Sequence, residues 1–514
     1  MNGAESLVAT LLGGGVEVCF TNPGTSEMHI VAALDRSTKM RCVLGLFEGV
    51  VTGAADGYAR MAGMPACTLL HLGPGLANGL ANLHNANRAR SPIINIIGQH
   101  ATQHLQFDTP LKADIQGTAK PYSDWVRTSC GTAGVGKDAA DAIVAARTAP
   151  GHVATLIVPA DFAWSDGGEV SQAFELRRAR EVSSVKIDHA AAMLRSGLPT
   201  CLLLAGDALH GAGLTAAGRI AAATSAKLLA PYPFARMQRG ADAPVVERIP
   251  YIFEQAAELL KEFRQMILVG ATEPRSYFAH PTKESAPTPA DCNIYPLAVP
   301  GEDYVGALEA LADVLHVGLT NSPIQENARP ATPTGAITIP GLSAAIGAVL
   351  PENAVVVDES MTSGRGLMEA TAGVGTHDWL ANTGGSIGFG MPLAVGAAVA
   401  CPDRRVLCLS ADGSGMYTAQ ALWTMAREGL NVTTVIYANR VYGVLKREFS
   451  NLGLGEPGPR ALDLFEIGRP DLDWVSMAKG MGVPATQATS LEEFARALRN
   501  GFASAGPSLI QVDL

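Results

Sequence analysis

The sequence predicts an α/β protein of three domains, with mainly parallel central sheets and helices on both faces of the sheets. Three observations indicate this class. Short apolar runs typical of buried strands alternate with helical patterns from one end of the chain to the other. Two stretches, one polar and one rich in Pro and Thr, interrupt this alternation. The length of 514 residues is enough for about three such units.

The first unit spans residues 1–166. Within it, the stretch Glu48–Arg60 predicts a helix, and a polar stretch from Ser165 to Lys186 is interpreted as a linker to the next unit. Buried strands are predicted at Val16–Phe20, Cys67–Leu70 and Ile93–Gly98.

The second and third units are separated by the connector rich in Pro and Thr, at about Ser322–Pro340. In the second unit, residues 187–312, buried strands are predicted at Thr200–Ala205, Lys227–Ala230 and Met266–Gly270. In the third unit, residues 341–514, they are predicted at Ala354–Val357, Arg405–Leu409, Val432–Ala438 and Ser508–Val512.

Charge and composition argue against several classes of partner. The chain has a formal net charge of −10 and no extended cluster of Lys and Arg, which argues against nucleic acid and anionic membrane. Charged residues make up only 17% of the chain, against roughly 25% in ordinary soluble domains. So low a charge density predicts that other copies of the chain cover part of the surface.

The cysteines and the apolar runs bear on the cellular compartment. The eight cysteines form no CxxC pair and lie mostly in apolar runs, so we expect buried, reduced thiols in a cytoplasmic protein. The first residues lack the pattern of a signal peptide. An uncharged run from Trp379 to Pro402 is long enough to span a bilayer, but its Gly, Asn and Pro residues favour a glycine-rich turn followed by a buried helix.

The strongest functional signal lies in the third unit, at the ends of two predicted strands. The strand Arg405–Leu409 leads into Ala411-Asp412-Gly413-Ser414-Gly415, and a helix is predicted over Met416–Glu428. The strand Val432–Ala438 then ends at Asn439. In a parallel sheet both loops lie at the carboxyl edge, where ligands bind.

These two loops contain the donor groups of a metal–diphosphate site. Asp412 and Asn439 can supply oxygen ligands to Mg²⁺, and the N–H groups of Gly413 and Ser414 at a helix start can bind phosphate. Taken singly, Asp412 is also explained as a helix cap and Asn439 as a turn residue. The two together, with a helix and a strand between them, favour the metal–diphosphate site.

This pattern resembles the thiamine-diphosphate signature, which begins with Gly-Asp-Gly-Ser and ends with Asn-Asn. The resemblance extends over nearly the whole chain, to the superfamily of 2-oxo-acid decarboxylases and acetolactate synthases and most closely to benzoylformate decarboxylases. It implies the thiamine-diphosphate-binding fold, with thiamine diphosphate and Mg²⁺ as cofactors. Ala411 and Ala438 depart from the signature, but neither position supplies a side-chain ligand in the family.

The resemblance also implies roles for other residues of the third unit, which would bind the diphosphate and Mg²⁺. The backbone carbonyl of Val441 would be the third protein ligand of the metal. Gly385 would accept the pyrimidine 4′-amino group through its carbonyl, and Ile387 would be the apolar wedge that bends the cofactor; otherwise both are explained as helix-start packing. The match further includes Ser360, Tyr442 and Gly443 as cofactor-binding residues.

In the first unit, Glu48 stands at the start of the predicted helix. Alone it is equally well explained as a helix N-terminal carboxylate. By the resemblance it is the glutamate that hydrogen-bonds N1′ of the pyrimidine, and the first unit is the pyrimidine-binding domain. In the family this glutamate and the metal site come from different subunits, which implies a homodimer as the minimal active unit and a homotetramer as the assembly.

Four further residues are candidates for contact with substrate. His71 matches a family histidine that orients substrate and relays protons, although a lone His at a strand end is usually structural. Thr25 matches a substrate-facing serine, and the alternative is a tight turn at Asn22–Glu27. In the second unit, Tyr277 aligns with a second catalytic histidine of benzoylformate decarboxylases, and His280 lies three residues further on.

The predicted activity is non-oxidative decarboxylation of a benzoylformate-like 2-oxo acid to an aldehyde and CO₂. One alternative is a carboligase of the acetolactate synthase type, which joins two 2-oxo acids and usually binds FAD in the middle domain. No compelling flavin motif is present between Ile187 and Ala312. The other alternative is a non-catalytic cofactor-binding homologue, against which the joint presence of Glu48, His71, Asp412 and Asn439 argues.

Overall fold

The computed structural model describes residues 1–172, 174–176, 178–318 and 324–514. Residues 173 and 177 of the first predicted linker and residues 322–323 of the connector lie outside these ranges. The described chain folds into three sheets with helices packed around them. The predicted α/β class with mainly parallel sheets is confirmed.

The first sheet has six parallel strands in the order β2-β1-β3-β4-β6-β5. Its strands are β1 Val18–Asn22, β2 Arg41–Leu44, β3 Ala66–Leu70, β4 Ile93–Gln99, β5 Trp125–Thr128 and β6 Val153–Pro159. The helices of this part are α1 Gly3–Gly13, α2 Met28–Asp35, α3 Glu48–Ala62, α4 Leu72–Ala89, α5 Ile115–Ala119, α6 Val135–Arg147 and α7 Ala160–Trp164. The predicted helix from Glu48 is α3.

The middle of the chain forms a five-stranded parallel sheet, in the order β10-β8-β7-β11-β12. The strands of this region are β7 Thr200–Leu204, β8 Lys227–Ala230, β9 Arg236–Arg239, β10 Val246–Arg248, β11 Gln265–Val269 and β12 Asn293–Ala298. Its helices are α8 Ser184–Arg195, α9 Gly211–Thr224, α10 Phe253–Leu260 and α11 Tyr304–Val314. Strand β9 is not part of this sheet and pairs instead with a strand of the third sheet.

The third sheet has seven strands in the order β17-β18-β16-β15-β13-β14-β9, with β9 antiparallel to β14. Its other strands are β13 Val355–Glu359, β14 His377–Ala381, β15 Val406–Ala411, β16 Val432–Ala438, β17 Ala485–Ala488 and β18 Ser508–Asp513. The helices are α12 Ile339–Val349, α13 Leu367–Ala370, α14 Gly390–Ala400, α15 Asp412–Gly415, α16 Ala421–Glu428, α17 Gly443–Asn451, α18 Pro459–Phe465, α19 Trp474–Gly480 and α20 Leu491–Ala503.

The predicted helix over Met416–Glu428 is wrong in its first half. A short helix, α15, already begins at Asp412, and a turn separates it from α16. The segment between the two helices contacts a neighbouring loop. There the Thr418 hydroxyl donates a 2.9 Å hydrogen bond to the carbonyl of Gly388, a tertiary contact that local sequence does not encode.

The first and third sheets are joined by close packing of α3 on α14. Gly57 contacts the backbone of Leu393, and Gly396 contacts the backbone of Ala54, so that neither glycine has room for a Cβ atom. The helix α14 is buried almost along its whole length, which confirms the prediction of a buried helix in the uncharged run. None of the helices in the described ranges is long and apolar enough to cross a membrane.

The cysteines are free, but the prediction that they are mostly buried is only half right. Cys19, Cys67, Cys201 and Cys408 are buried within the sheets. Cys42 and Cys130 are exposed, because each lies at or just beyond an edge strand of the first sheet, where one side lacks a neighbouring strand.

Candidate active site

Three adjacent strands of the third sheet end at one edge. Strand β13 ends at Glu359, β15 at Ala411 and β16 at Ala438, and the three run parallel in the order β16-β15-β13. The residues that follow, Ser360, Asp412 and Asn439, are therefore brought to the same carboxyl edge. This is where the sequence predicted a ligand site.

Asp412 and Asn439 lie together at this edge. The buried Asp412 carboxylate, only 3% exposed, accepts hydrogen bonds from the N–H groups of Arg440 at 2.7 Å and Gly413 at 2.9 Å. The Asn439 amide donates to Ser363 Oγ at 3.3 Å, and its oxygen accepts from the Val441 N–H at 3.1 Å. Burial raises the pKa of Asp412, and these N–H groups act against the shift.

This donor set fits Mg²⁺. It offers a carboxylate, an amide oxygen and the backbone carbonyl of Val441, which are hard oxygen donors. The Val441 carbonyl accepts one hydrogen bond, from the Gly443 N–H at 2.9 Å, and so keeps one lone pair for a ligand. Among the described residues no side-chain cation lies within ion-pair distance of the Asp412 carboxylate, so a bound divalent ion would supply the missing positive charge.

The neighbouring residues enclose the same edge. The Tyr442 ring packs so closely on Gly413 that a Cβ there would lie 2.7 Å from its Cε1 atom, and Ser414 is buried beside it. Gly443, at the start of α17, faces Thr362 in a similar way. The Ser360 hydroxyl donates a 2.5 Å hydrogen bond to Asp358. All the residues predicted for the diphosphate end are thus close to one another.

The loop between β14 and α14 carries the two residues predicted for the pyrimidine end. Gly385 is exposed and has a φ of +84°, a conformation that favours glycine. Its carbonyl oxygen accepts no hydrogen bond from any described residue, whereas its N–H donates to Asn382 Oδ1 at 2.6 Å. Ile387 is half-buried two residues later. A free carbonyl beside an apolar side chain fits the amino group and ring of a pyrimidine.

Of the two candidates from the middle of the chain, Tyr277 lies at this loop and His280 does not. A Cβ placed on Gly385 would lie 3.5 Å from Cε1 of Tyr277. The His280 ring bonds instead to the carbonyl of Asn451, at the far end of α17, and to the N–H of Thr282 at 3.1 Å. Both nitrogens of His280 are therefore occupied by the backbone.

Glu48 is the first residue of α3 and is only 7% exposed. Its two carboxylate oxygens accept hydrogen bonds from Asn22 Nδ2 at 3.1 Å and from Asn78 Nδ2 at 3.0 Å. Neutral amides hold the carboxylate in place without pairing its charge. The group is therefore oriented and remains able to accept one more hydrogen bond.

His71 lies close to Glu48 and has a partner that sequence reasoning missed. Its Nδ1 atom is 2.7 Å from Oε2 of Glu27, a fully buried carboxylate that also accepts the Gly24 N–H at 2.8 Å. Burial raises the pKa of Glu27, and the hydrogen bond with His71 lowers it. Thr25 is exposed on the same short 3₁₀ helix, Thr25–Glu27. In the sequence, the only indication of a role for Glu27 is its position three residues after Gly24, a spacing that predicts a turn.

Within one chain the predicted residues form two groups. Glu48, His71 and Thr25 belong to the first, and the residues around Asp412 and Gly385 to the second. Helix α4 connects the groups, because Asn82 donates both to the Gly49 carbonyl at 2.8 Å and to the Gly388 carbonyl at 3.3 Å. In the described ranges no hydrogen bond joins Glu48 to Asp412 or Asn439.

Two family models match the chain. The model described as "Thiamine pyrophosphate enzyme, N-terminal TPP binding domain" matches residues 1–121. The model described as "Thiamine pyrophosphate enzyme, C-terminal TPP binding domain" matches residues 368–512. The first range contains Glu48, His71 and Thr25, and the second contains Asp412, Asn439 and Gly385.

Individual proteins and structures agree with these matches. The chain is 53% identical to the "Putative acetolactate synthase large subunit IlvX" of Mycobacterium tuberculosis, over 100% of this chain and 99% of that protein. It is 28% identical to benzoylformate decarboxylase of Pseudomonas aeruginosa, over 97% of this chain and 96% of that protein. The fold is similar to that of a thiamine diphosphate-dependent 4-hydroxybenzoylformate decarboxylase from Rhodococcus jostii RHA1, with a TM-score of 0.88 at 24% identity over 100% and 99% of the two chains.

The predicted resemblance and the predicted cofactor, thiamine diphosphate, are thereby supported by independent matches over both ends of the chain. A relative of 53% identity that aligns from end to end extends the relationship to the middle of the chain. The chain belongs to the thiamine-diphosphate-dependent enzymes, in the family of 2-oxo-acid decarboxylases and acetolactate synthases.

Proposed function

We propose that the protein is a Mg²⁺-dependent decarboxylase that converts a benzoylformate-like 2-oxo acid to an aldehyde and CO₂ without oxidation. When bound, thiamine diphosphate supplies a thiazolium carbon that adds to the ketone and accepts the electron pair left by CO₂. Asp412, Asn439 and the Val441 carbonyl would hold the metal and, through it, the diphosphate. Glu48 and the Gly385 carbonyl would hold the two polar edges of the pyrimidine.

The observation that carries the proposal is the pair formed by His71 and Glu27. Decarboxylation to an aldehyde requires that a proton be delivered to the carbon from which CO₂ has left. His71 is half-buried, has one ring nitrogen held by a buried carboxylate, and keeps Nε2 free of hydrogen bonds to the described residues. A histidine oriented in this way can donate that proton near neutral pH.

We further propose that the active unit is a homodimer, assembled into a tetramer, in which Glu48 serves the Asp412 group of the partner. The lack of any hydrogen bond from Glu48 to Asp412 or Asn439 within the described ranges of one chain supports this arrangement. So do the large apolar side chains that are exposed within five residues of Glu48, Asp412 or Val441 in the sequence: Leu46, Met416, Tyr417 and Leu445.

Mixed dimers test the shared site. We expect Glu48→Gln and Asp412→Asn chains to be inactive alone. When the two are co-expressed, half of the dimers carry both changes in one site and none in the other, so about a quarter of wild-type activity should return. If each site were built from one chain, every site would carry a change and no activity would return.

A second candidate function is carboligation of two 2-oxo acids. The observation that favours it is the 53% identity with a relative whose name describes an acetolactate synthase subunit. Product analysis by mass spectrometry, with pyruvate and with benzoylformate, distinguishes the two. Benzaldehyde and CO₂ from benzoylformate support decarboxylation. Acetolactate from pyruvate without free aldehyde overturns it in favour of the carboligase.

A further inference from the structure

Glu359 is a buried carboxylate that the proposed chemistry does not use. It is the last residue of β13 and is 1% exposed. Oε1 accepts the N–H groups of Gly388 at 2.6 Å and Phe389 at 3.2 Å, and Oε2 accepts the N–H of Gly390 at 2.8 Å. One side chain therefore binds three consecutive N–H groups, two in the loop after Gly385 and one at the first residue of α14.

The same loop is held from the opposite side through its carbonyl groups. The Ser386 carbonyl accepts Nδ2 of Asn85 at 2.9 Å and Nδ2 of Asn382 at 2.9 Å. The Gly388 carbonyl accepts the Thr418 hydroxyl at 2.9 Å. The backbone next to Gly385 is thus fixed by side chains from β13, α4 and the turn after α15.

The position of Glu359 relates this loop to the metal edge. In the sheet register Glu359 lies beside Ser410, two residues before Asp412 on the adjacent strand. A ligand that spans from Asp412 to Gly385 needs the loop and the strand ends at a constant distance. Glu359 links the strand ends directly to the loop. A capping residue at the helix start itself would leave the loop unconnected to the sheet.

We propose that Glu359 is a positioning residue for the pyrimidine half of the cofactor, acting through the loop that carries Gly385. This inference rests on the proposed roles of Gly385 and Asp412. It assigns to Glu359 no contact with cofactor or substrate. A carboxyl group is required because both of its oxygens accept from the three N–H groups, whereas an amide at this position directs N–H against N–H.

The test compares a ligand that reaches both ends of the site with one that reaches only the metal end. Binding of thiamine diphosphate and of inorganic diphosphate is measured by calorimetry with Mg²⁺ in excess, for the wild type, Glu359→Gln and the exposed control Glu352→Gln. In Glu359→Gln we expect Kd for thiamine diphosphate to rise at least about tenfold, with Kd for diphosphate within about twofold of wild type. The control should match the wild type for both ligands.

Two results would overturn the proposal: an unchanged Kd for thiamine diphosphate, or an equal rise for both ligands. If Glu359→Gln fails to fold, Glu359→Asp keeps the charge but is one methylene shorter; the same selective loss is expected, and equal effects on both ligands again overturn the assignment. A wild-type protein that does not bind thiamine diphosphate with Mg²⁺ would overturn the proposed function itself, which separates the two failures.

Discussion

The Nδ1 atom of His71 lies 2.7 Å from Oε2 of Glu27, although the two residues are 44 positions apart in the chain. Strands β1 and β3 pair in parallel, with Asn22 beside Leu70, so the segments that follow them meet at one edge of the first sheet. Gly98 comes so close to Glu27 that it leaves no room for a Cβ atom. The carboxylate is therefore enclosed, and its one side-chain partner among the described residues is His71.

We predict that Glu27→Gln lowers kcat by about 10²-fold with little change in KM. The amide retains the shape and one acceptor oxygen, but it removes the negative charge that faces Nδ1 of His71. Initial rates of CO₂ release across pH 6–8 measure the effect. The exposed Glu17→Gln serves as control. A folded Glu27→Gln protein with wild-type kcat would contradict the role given to the pair.

The His71–Glu27 contact also shows which part of the site the sequence could predict. Strand positions follow from local patterns: Val432–Ala438 is predicted to the residue, and the first strand is displaced by two residues. The positions of Asp412 and Asn439 directly after two strands follow from the same local patterns. Glu27 was missed because its partner is determined by which strands are neighbours, and local patterns do not contain that information.

The same reason accounts for the error between Met416 and Glu428. The composition of that segment favours a helix, whereas in the fold its Thr418 bonds to the carbonyl of Gly388, a residue 30 positions away. The role of Glu359 is not predictable for the same reason, since its three N–H partners lie beyond the next strand, at the start of α14 and just before it. Tertiary contacts override local preference at these positions.

Asp412→Asn is expected to abolish Mg²⁺-dependent binding of thiamine diphosphate, with Kd rising at least about 10²-fold. The substitution removes the one buried negative charge of the donor set while it keeps the side-chain shape. Calorimetric titration of the cofactor with and without Mg²⁺ measures this, and the exposed Asp403→Asn is the matched control. If Asp412→Asn bound the cofactor as tightly as the control does, Asp412 would not be a metal ligand.

The stability of the protein should depend on pH through Glu359. Burial raises the pKa of Glu359 from 4.5 to about 7, although three N–H groups act against the shift. Between these two values the folded chain holds a proton that the unfolded chain has released. The contribution to the free energy of unfolding, a few kcal/mol, is thus fully present below about pH 4.5 and is lost as the pH rises through 7.

Glu359→Gln removes this titration. We therefore expect the difference in melting temperature, wild type minus Glu359→Gln, to be larger at pH 5 than at pH 8. Thermal unfolding followed by circular dichroism at the two pH values measures the difference, with Glu352→Gln as reference. Melting temperatures of wild type and Glu359→Gln that change in parallel with pH would show that Glu359 does not titrate in this range.

Tyr277 is expected to form a wall of the substrate site rather than to donate a proton. Its ring centroid lies 5.4 Å from that of Tyr251 and 5.8 Å from that of Tyr232, and its edge faces Gly385. Burial raises the pKa of the Tyr277 hydroxyl above its ordinary value, which makes the hydroxyl a weaker acid and a poorer proton donor near neutral pH. The aromatic surface is therefore what this residue offers to a substrate.

We accordingly predict that Tyr277→Ala raises KM for benzoylformate by about tenfold, while Tyr277→Phe stays within about twofold of wild type. Steady-state kinetics with benzoylformate and with a short aliphatic 2-oxo acid measure this, and the short substrate should be less affected because it does not reach the ring. The adjacent Phe278→Ala is the control, since Phe278 is 70% exposed. A loss of kcat of about 10²-fold in Tyr277→Phe would instead identify the hydroxyl as a proton donor, because removal of one oxygen atom leaves the wall intact.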